Sequence, residues 1–275
     1  MYCNSKKRGG AQFDARVHEK LLYKWSKYYI GPEKTLIMRI GTMGSGKTSA
    51  VNLFIEEELG YNQAIFSIID LDKIVTTSEY MTDPDKWWDA QVTIGGYEIT
   101  DKIIRESIKA KKNFSTESTG KFICPNRKLI TIASKAGYNL IGICPYVPYY
   151  ELKSRIKKRA DEEGRAVTTS ELEDNLKNML PKLFEIVPLC DKFFVINNLV
   201  KKGDSPEKLL SVETDFTKYD STKCCDWEFN DDATNRLLSK LDDNIDKYKT
   251  HSELDIFELE KKFLTKLLST TSHGY

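Results

Sequence analysis

Charge of one sign, paired cysteines, clustered histidines and long apolar runs are all missing from this chain of 275 residues. Lysine and arginine number 42 against 41 aspartates and glutamates, a formal net charge of +1. No global field therefore draws the chain to nucleic acid or to an anionic membrane, and any basic function must be local. No stretch of about 18 apolar residues exists, which argues against a membrane-spanning helix. The opening MYCNSKKRGGAQFD lacks the apolar core of a secretory signal, so the chain reads as soluble and cytoplasmic. The six cysteines (Cys3, Cys124, Cys144, Cys190, Cys224, Cys225) form no C-x-x-C pair and are too sparse for a disulfide scaffold. Reduced thiols are expected, with Cys224-Cys225 a pair of thiols rather than a ligand set. Three histidines are too dispersed for zinc.

What is present suffices for a core. Apolar residues make up 40% of the chain, and the length suits one principal α/β domain of about 200 residues plus additions. Residues 14–29, DARVHEKLLYKWSKYY, place Val17, Leu21, Leu22 and Trp25 on one helical face before a break at Gly31-Pro32. Short β-rich runs follow at Thr35 to Ile40, Ala64 to Ile69, Asn113 to Thr116, Leu140 to Cys144 and Lys192 to Asn197, separated by helix-length segments. This alternation predicts a three-layer α/β fold, with a mainly parallel sheet of about five strands and helices on both faces. Ligands then bind at the carboxyl ends of the strands. Beyond Asn198, LVKKGDSPEKLLSVE reads as a loop between two short strands and DFTKYDSTKCCDWEFNDD as irregular. Two amphipathic helices close the chain. For the last, Ser252 with Asp255 suggests a cap, and Ile256, Leu259, Phe263 and Leu267 form its stripe.

The stretch RIGTMGSGKTSAVN carries the pattern G-x-x-x-x-G-K-[ST] from Gly41 to Thr48, directly after a strand and before the helical TSAVNLFIEEEL. Gly41, Gly44 and Gly46 let the backbone curl its N–H groups toward phosphate oxygens, helped by the dipole of the following helix. Ser45 and Ser49 lie in the same turn and join the phosphate-binding set. Lys47 would reach the β- and γ-phosphates and Thr48 would ligate Mg²⁺. The bland alternative is a Gly-rich turn before a helix. A GTPase would need N-K-x-D, whose letters but not spacing occur in NNLVKKGD; a motor or AAA-type ATPase would need four apolar residues ending in Asp-Glu on a strand, and none occurs.

Asp70-Leu71-Asp72 instead closes the second strand. A carboxylate there can accept the proton of an acceptor hydroxyl and orient it in line with the γ-phosphate. Alternation along the strand favours Asp72 over Asp70 for this role, with Asp70 on the acceptor; the structural alternative is a helix cap. Glu117 and Thr119, after the third strand, offer a carboxylate and a hydroxyl to a polyol, unless they only cap a turn. The fourth strand runs into YYELKSRIKKRADEEGR, where Arg155 and Arg159 share a face and Arg165 follows Gly164. Guanidinium groups pair bidentately with the charge that spreads over a transferring phosphoryl group, so this helix reads as a lid. A solvated face or a contact to nucleic-acid phosphates are the alternatives. Asn197 and Asn198 end the last strand, where an adenine contact or a plain turn would be built. Trp87-Trp88 reads as packing more than as a stacking platform.

Taken in order, G-T-M-G-S-G-K-T-S, D-L-D, E-S-T-G-K and a helix of spaced arginines ending in G-R resemble the zeta-toxin kinases. ITIASKAGYNLIGICPYVPYYELKSR and KFFVINNLVKKGDSPEKLLSVE are similar to that family's lid entry and closing hairpin, so the resemblance spans roughly residues 34–215. It implies a P-loop kinase domain over 34–215, flanked by an N-terminal helical extension (1–33) and a C-terminal irregular segment with helices (216–275). It also implies transfer of the γ-phosphate of ATP to a sugar hydroxyl, with UDP-N-acetylglucosamine as acceptor in the toxin members. Carried onto this chain, it puts Lys47 on the β/γ-phosphates, Thr48 on magnesium, Asp72 as base and Glu117 and Thr119 at the acceptor. Arg155 and Arg165 fall on the moving phosphoryl group. Ser118 stands where the family's E-G-T has glycine, and the interval from Arg155 to Arg165 is shortened. A nucleotide-sugar kinase is the leading expectation. A nucleoside, nucleotide or polynucleotide 5′-hydroxyl kinase is the second, the only one that brings in nucleic acid. A nucleotide-gated interaction protein is the third. A protein inhibitor at the nucleotide site is a further expected partner; the leading helix packs against the sheet by default, with masking of the nucleotide site or docking of an inhibitor as the alternatives.

Overall fold

The computed structural model describes residues 13–25, 34–62, 65–78, 87–163, 167–200, 204–215 and 224–269. Helix α1 (Ala15–Trp25) leads into strand β1 (Thr35–Ile40) and helix α2 (Ser49–Glu57). Strand β2 (Ser67–Ile69) is followed by α3 (Leu71–Thr76), α4 (Trp87–Ile94) and α5 (Gly96–Lys109). Next come β3 (Phe114–Ser118), α6 (Ile123–Lys135), β4 (Asn139–Tyr146), α7 (Tyr149–Glu163) and α8 (Thr169–Ile186). Strands β5 (Lys192–Asn197), β6 (Glu207–Asp215) and β7 (Cys224–Phe229) precede α9 (Asp231–Asp242) and α10 (His251–Ser269).

The strands form one sheet in the order β2-β3-β1-β4-β5-β6-β7. The first five are mutually parallel and β6 and β7 are antiparallel. The sheet is therefore wider than the five strands read from the sequence. The segment taken as irregular supplies β7, which pairs from Cys224 opposite Asp215 to Phe229 opposite Leu210. Its C-C-D-W-E-F run alternates Cys225, Trp227 and Phe229 with Asp226 and Glu228, a short period-2 pattern that pairs with β6 along its whole length. The leading helix is described to Trp25; the rest of its predicted span and Gly31-Pro32 fall outside the described residues.

Period-2 alternation sorts the core into two layers. Leu36, Met38 and Ile40 of β1 face α5, α6, α8 and α10, while Ile37 faces Val51, Phe54 and Ile55 of α2 with Ile141, Ile143, Phe194 and Ile196. Strand β1 lies between β3 and β4, so the chain leaves it toward one side and later returns on the other. The crevice at its carboxyl end is thus the expected ligand position. Among the described residues no helix is long and apolar enough to cross a membrane.

Helix α10 is capped two residues earlier than its sequence suggests. Glu253 N–H donates to Thr250 Oγ1 (3.2 Å) and Thr250 N–H donates back to Glu253 Oε2 (3.0 Å), a reciprocal capping box. Ser252 instead hydrogen-bonds Glu173 on α8. Glu253 also receives Lys153 Nζ from α7. Burial alone would raise its carboxyl, but Lys153 and the Thr250 and Lys249 amides hold it down to about 2. A carboxyl held lower in the folded than in the unfolded chain stabilises the fold above its ordinary value of 4.5, and that contribution disappears as pH falls toward about 2. Chemical denaturation across this window should show stability falling with acid in the native protein and falling less steeply in Glu253→Gln. Parallel profiles would contradict the assignment.

Candidate active site at the carboxyl edge of the sheet

The loop between β1 and α2 is built as a cradle. Gly44 and Gly46 adopt φ of 79° and 87°, a region that a β-carbon disfavours. A Cβ at Gly46 would also lie 2.2 Å from Asn198 Nδ2. That amide donates to Ser45 O at 2.8 Å, bracing the loop from the end of β5. No side chain caps α2, which leaves its first-turn amides and dipole to an anion. Ser45 is buried, and its Oγ has no hydrogen-bond partner. An orphan hydroxyl within a glycine cradle fits a phosphate-bearing ligand.

Lys47 folds back over this cradle, its ammonium donating to Gly41 O and Thr42 O, both at 2.9 Å. Burial lowers its pKa, the charges of Glu117, Asp72 and Asp70 oppose that, and Arg159 adds to it. Those four groups therefore act on one point. Thr48 does not cap its helix: its hydroxyl donates to Glu117 Oε1 at 2.9 Å. Two hard oxygens side by side suit magnesium, while among the described residues no group of three or more His, Cys, Asp or Glu is set to hold a metal.

Charged groups of both signs form a row across three neighbouring strands. Arg39 of β1 stands opposite Glu117 of β3, and Asp70 follows Ile69 of β2, which stands opposite Thr116. Arg39 is 1% exposed. Its Nη1 donates to Asn52 Oδ1 at 2.6 Å and lies 3.8 Å from Glu117 Oε1. Burial lowers its pKa, against the pull of Glu117 and Asp70. Asp70 caps α3, accepting from the Asp72 and Lys73 amides at 2.9 and 3.3 Å. Burial first, then Glu117 and Asp72, raise its pKa. Asp72 sits in the first turn of α3. Tyr97 of α5 feels its charge: burial first, then Asp72, raise its phenol.

Helix α7 closes the crevice from above. The space beside Gly44 is bounded by Ile156, Leu152 and Arg155. Arg155 binds Glu151 Oε1 (3.0 Å) and donates to Asn198 O (2.9 Å), while Arg159 lies close enough to depress Lys47. Arg165 lies outside the described residues. Thr119 is half-buried, its carbonyl accepting from Asn175 of α8 at 3.3 Å. Asn197 is buried and closes the turn after β5, with Oδ1 accepting from Leu199 N–H at 2.9 Å. Trp87 is half-buried and packs against the core, and the side chain of Trp88 lies outside the described residues. Sequence reasoning missed Arg39, Asn52, Asn198 as a loop contact, and Tyr97. A single charge within the apolar run TLIMRI was the one available signal.

This arrangement defines a P-loop kinase-like domain. Residues 36–181, more than half of the 275, match the family described as an AAA domain, and the chain belongs to that P-loop family. The sequence argues against an AAA-type motor for want of an Asp-Glu strand end, and the described strands have none; the family match nevertheless covers residues 36–181. In fold the chain is similar to a structure from the PezAT chromosomal toxin-antitoxin system of Streptococcus pneumoniae, with TM-score 0.56, 11% identity and coverage of 94% of this chain and 98% of that one. It is equally similar to the AvrRxo1-ORF1:-ORF2 complex solved with ATP, with TM-score 0.57, 10% identity and coverage of 92% and 84%. At such identities the likeness concerns the fold, and at that level the zeta-toxin-like resemblance holds. No curated protein matches the chain.

Gly46→Ala tests the cradle. Its methyl group meets Asn198 Nδ2 and forces a strained φ, so affinity for a fluorescent ATP analogue should fall at least about tenfold, roughly 1.4 kcal/mol, with the fold retained by circular dichroism. Undiminished affinity would refute the cradle.

Proposed function

We propose that this chain is an ATP- and magnesium-dependent kinase that moves the γ-phosphate to a hydroxyl of a small acceptor, best read as a nucleotide-sugar such as UDP-N-acetylglucosamine. The observation that carries the reading is geometric: Lys47 lies on the glycine cradle, Thr48 of the same loop bonds Glu117, and Arg155 of α7 flanks Gly44, so phosphate-binding cation, acidic group and lid arginine meet at one loop. Lys47 exchanges the Gly41 and Thr42 carbonyls for the β/γ-phosphate oxygens. The phosphate itself rests on the turn from Gly41 through Gly44, Ser45 and Gly46 to Ser49. Thr48 and Glu117 would hold magnesium, which neutralises phosphate charge and draws electrons toward the leaving oxygen. Asp72 accepts the proton of the acceptor hydroxyl as its oxygen bonds to the γ-phosphorus, and the bond to the β,γ-bridging oxygen breaks with its electron pair leaving on ADP. Asp70 orients Asp72 through the cap of α3. Arg155, Arg159 and Arg165 balance charge on the transferring group, Thr119 and Tyr97 are assigned to the acceptor, and Asn197 is assigned to the adenine.

The fold likeness to a toxin-antitoxin system and to a two-component complex with ATP supports a protein inhibitor as a partner at the nucleotide site. A reducing cytoplasm suits the free thiols of Cys124, Cys144 and Cys190. A nucleoside, nucleotide or polynucleotide 5′-hydroxyl acceptor is the second reading, favoured by the exposed Lys157 and Lys158 on α7.

Transfer of labelled γ-phosphate from ATP to UDP-sugars, nucleosides and 5′-hydroxyl oligonucleotides is the test. Label should appear on a UDP-sugar, and Asp72→Asn should lower kcat by about 10²–10⁴ while leaving ATP binding in place. Lys47→Ala should abolish transfer. Activity preserved in Asp72→Asn would sink the mechanism, label on an oligonucleotide would shift the acceptor class, and ATP binding without turnover would leave a nucleotide-gated interaction protein.

A further inference from the structure

A carboxylate far from the phosphate loop holds the root of the lid. Glu260 of α10 is 0% exposed. It accepts hydrogen bonds from Tyr146 OH (3.2 Å), the Tyr149 amide (2.8 Å) and Tyr248 OH (2.8 Å). Burial pushes its carboxyl up to about 7, and the three donors restrain the rise. Tyr146 is the last residue of β4 and Tyr149 the first of α7, so one side chain grips both sides of the joint where the lid helix leaves the sheet. An anion at the first amide of a helix satisfies an otherwise orphan donor and complements the dipole.

Two paths run from this joint to the phosphate loop. Along α7, the first turn sets where Leu152, Arg155 and Ile156 meet Gly44. Along the backbone, Tyr146 O accepts from the Asn198 amide at 3.0 Å. The Asn198 side chain then braces Ser45 O, and its carbonyl receives Arg155. Glu253, two turns earlier on α10, adds Lys153 and Tyr149 OH to the same junction. A surface helix that only covered the core would not need a buried carboxylate here, because burying a charge is costly unless it is fully bonded.

We propose that Glu260 is a positioning residue: from the C-terminal helix it sets the angle of α7 against the phosphate loop, and thereby the placement of Arg155 and Arg159. This rests on the kinase reading for its catalytic consequence only; the placement of α7 is independent of it.

The experiment compares the full chain with Glu260→Gln, Tyr248→Phe and Arg155→Ala. Glu260→Gln should lower kcat about tenfold, equivalent to about 1.4 kcal/mol, with KM for ATP changed less than about twofold. Tyr248→Phe removes one donor from the same carboxylate but keeps the ring packed on Tyr149 and leaves the Tyr146 OH and Tyr149 amide bonds to Glu260 in place, and should lower thermal stability while changing kcat less than about twofold. Combining Glu260→Gln with Arg155→Ala should cost less than the two separate losses together, because Arg155 is one of the two arginines through which Glu260 acts. Additive losses, or activity falling in step with stability in Glu260→Gln and Tyr248→Phe alike, would overturn the proposal. Should Glu260→Gln not fold, Tyr146→Phe replaces it with the same expectations. Amide hydrogen exchange supplies a readout without turnover: faster exchange in the first turn of α7 and in the phosphate loop of Glu260→Gln is expected, and unchanged exchange would overturn the placement. A native chain that transfers no phosphate would defeat the kinase reading, while the exchange result would still decide for or against Glu260.

Discussion

The structure turns on compensating buried charge at one edge of a sheet. Arg39 and Glu117 stand opposite each other on β1 and β3, Asp70 follows the end of β2, and Lys47 feels the charge of Glu117 and Asp70. None of these groups can be taken from water alone, because an unpaired buried charge costs several kcal/mol. Each therefore depends on the others. The row also ties chemistry to strand register: sliding β3 by one residue would turn Glu117 to the opposite face of the sheet. It would leave Arg39 and Thr48 without the carboxylate they share.

Around this row the phosphate loop is braced from outside itself. Asn198 reaches it from β5, α7 packs over Gly44, and α10 holds the start of α7 through Glu260. Sites that must keep geometry within fractions of an ångström are held by such supporting contacts. Here they come from sequence positions separated by more than a hundred residues, as the 111-residue interval between Tyr149 and Glu260 illustrates. The C-terminal helices are thus joined to the lid, not merely laid on the core.

The parts legible in the sequence are those governed by local rules. Glycine spacing announced the loop, and apolar runs announced β1, β4 and β5 to within a few residues. The parts that escaped depend on partners. Strand β7 alternates over only a few residues, and its pairing with β6 is what distinguishes it from a loop. The stripe of α10 was read through Leu259, which is partly buried, whereas Glu260 beside it is wholly buried. A carboxylate reads as solvent-facing until three donors are found for it. Arg39 was passed over for the same reason, and Asn198 could not be separated from Asn197 until the turn showed which amide closes on itself and which reaches the loop.

By itself, then, the sequence determined the parallel α/β core and the phosphate loop, because hydrophobic period and glycine conformational freedom act within a few residues. Only the tertiary structure decided which charges share the crevice, which asparagine braces the loop and what holds the lid. Those outcomes depend on desolvation and hydrogen bonding between groups far apart in the chain, whose energies exist only once the surrounding protein has excluded water.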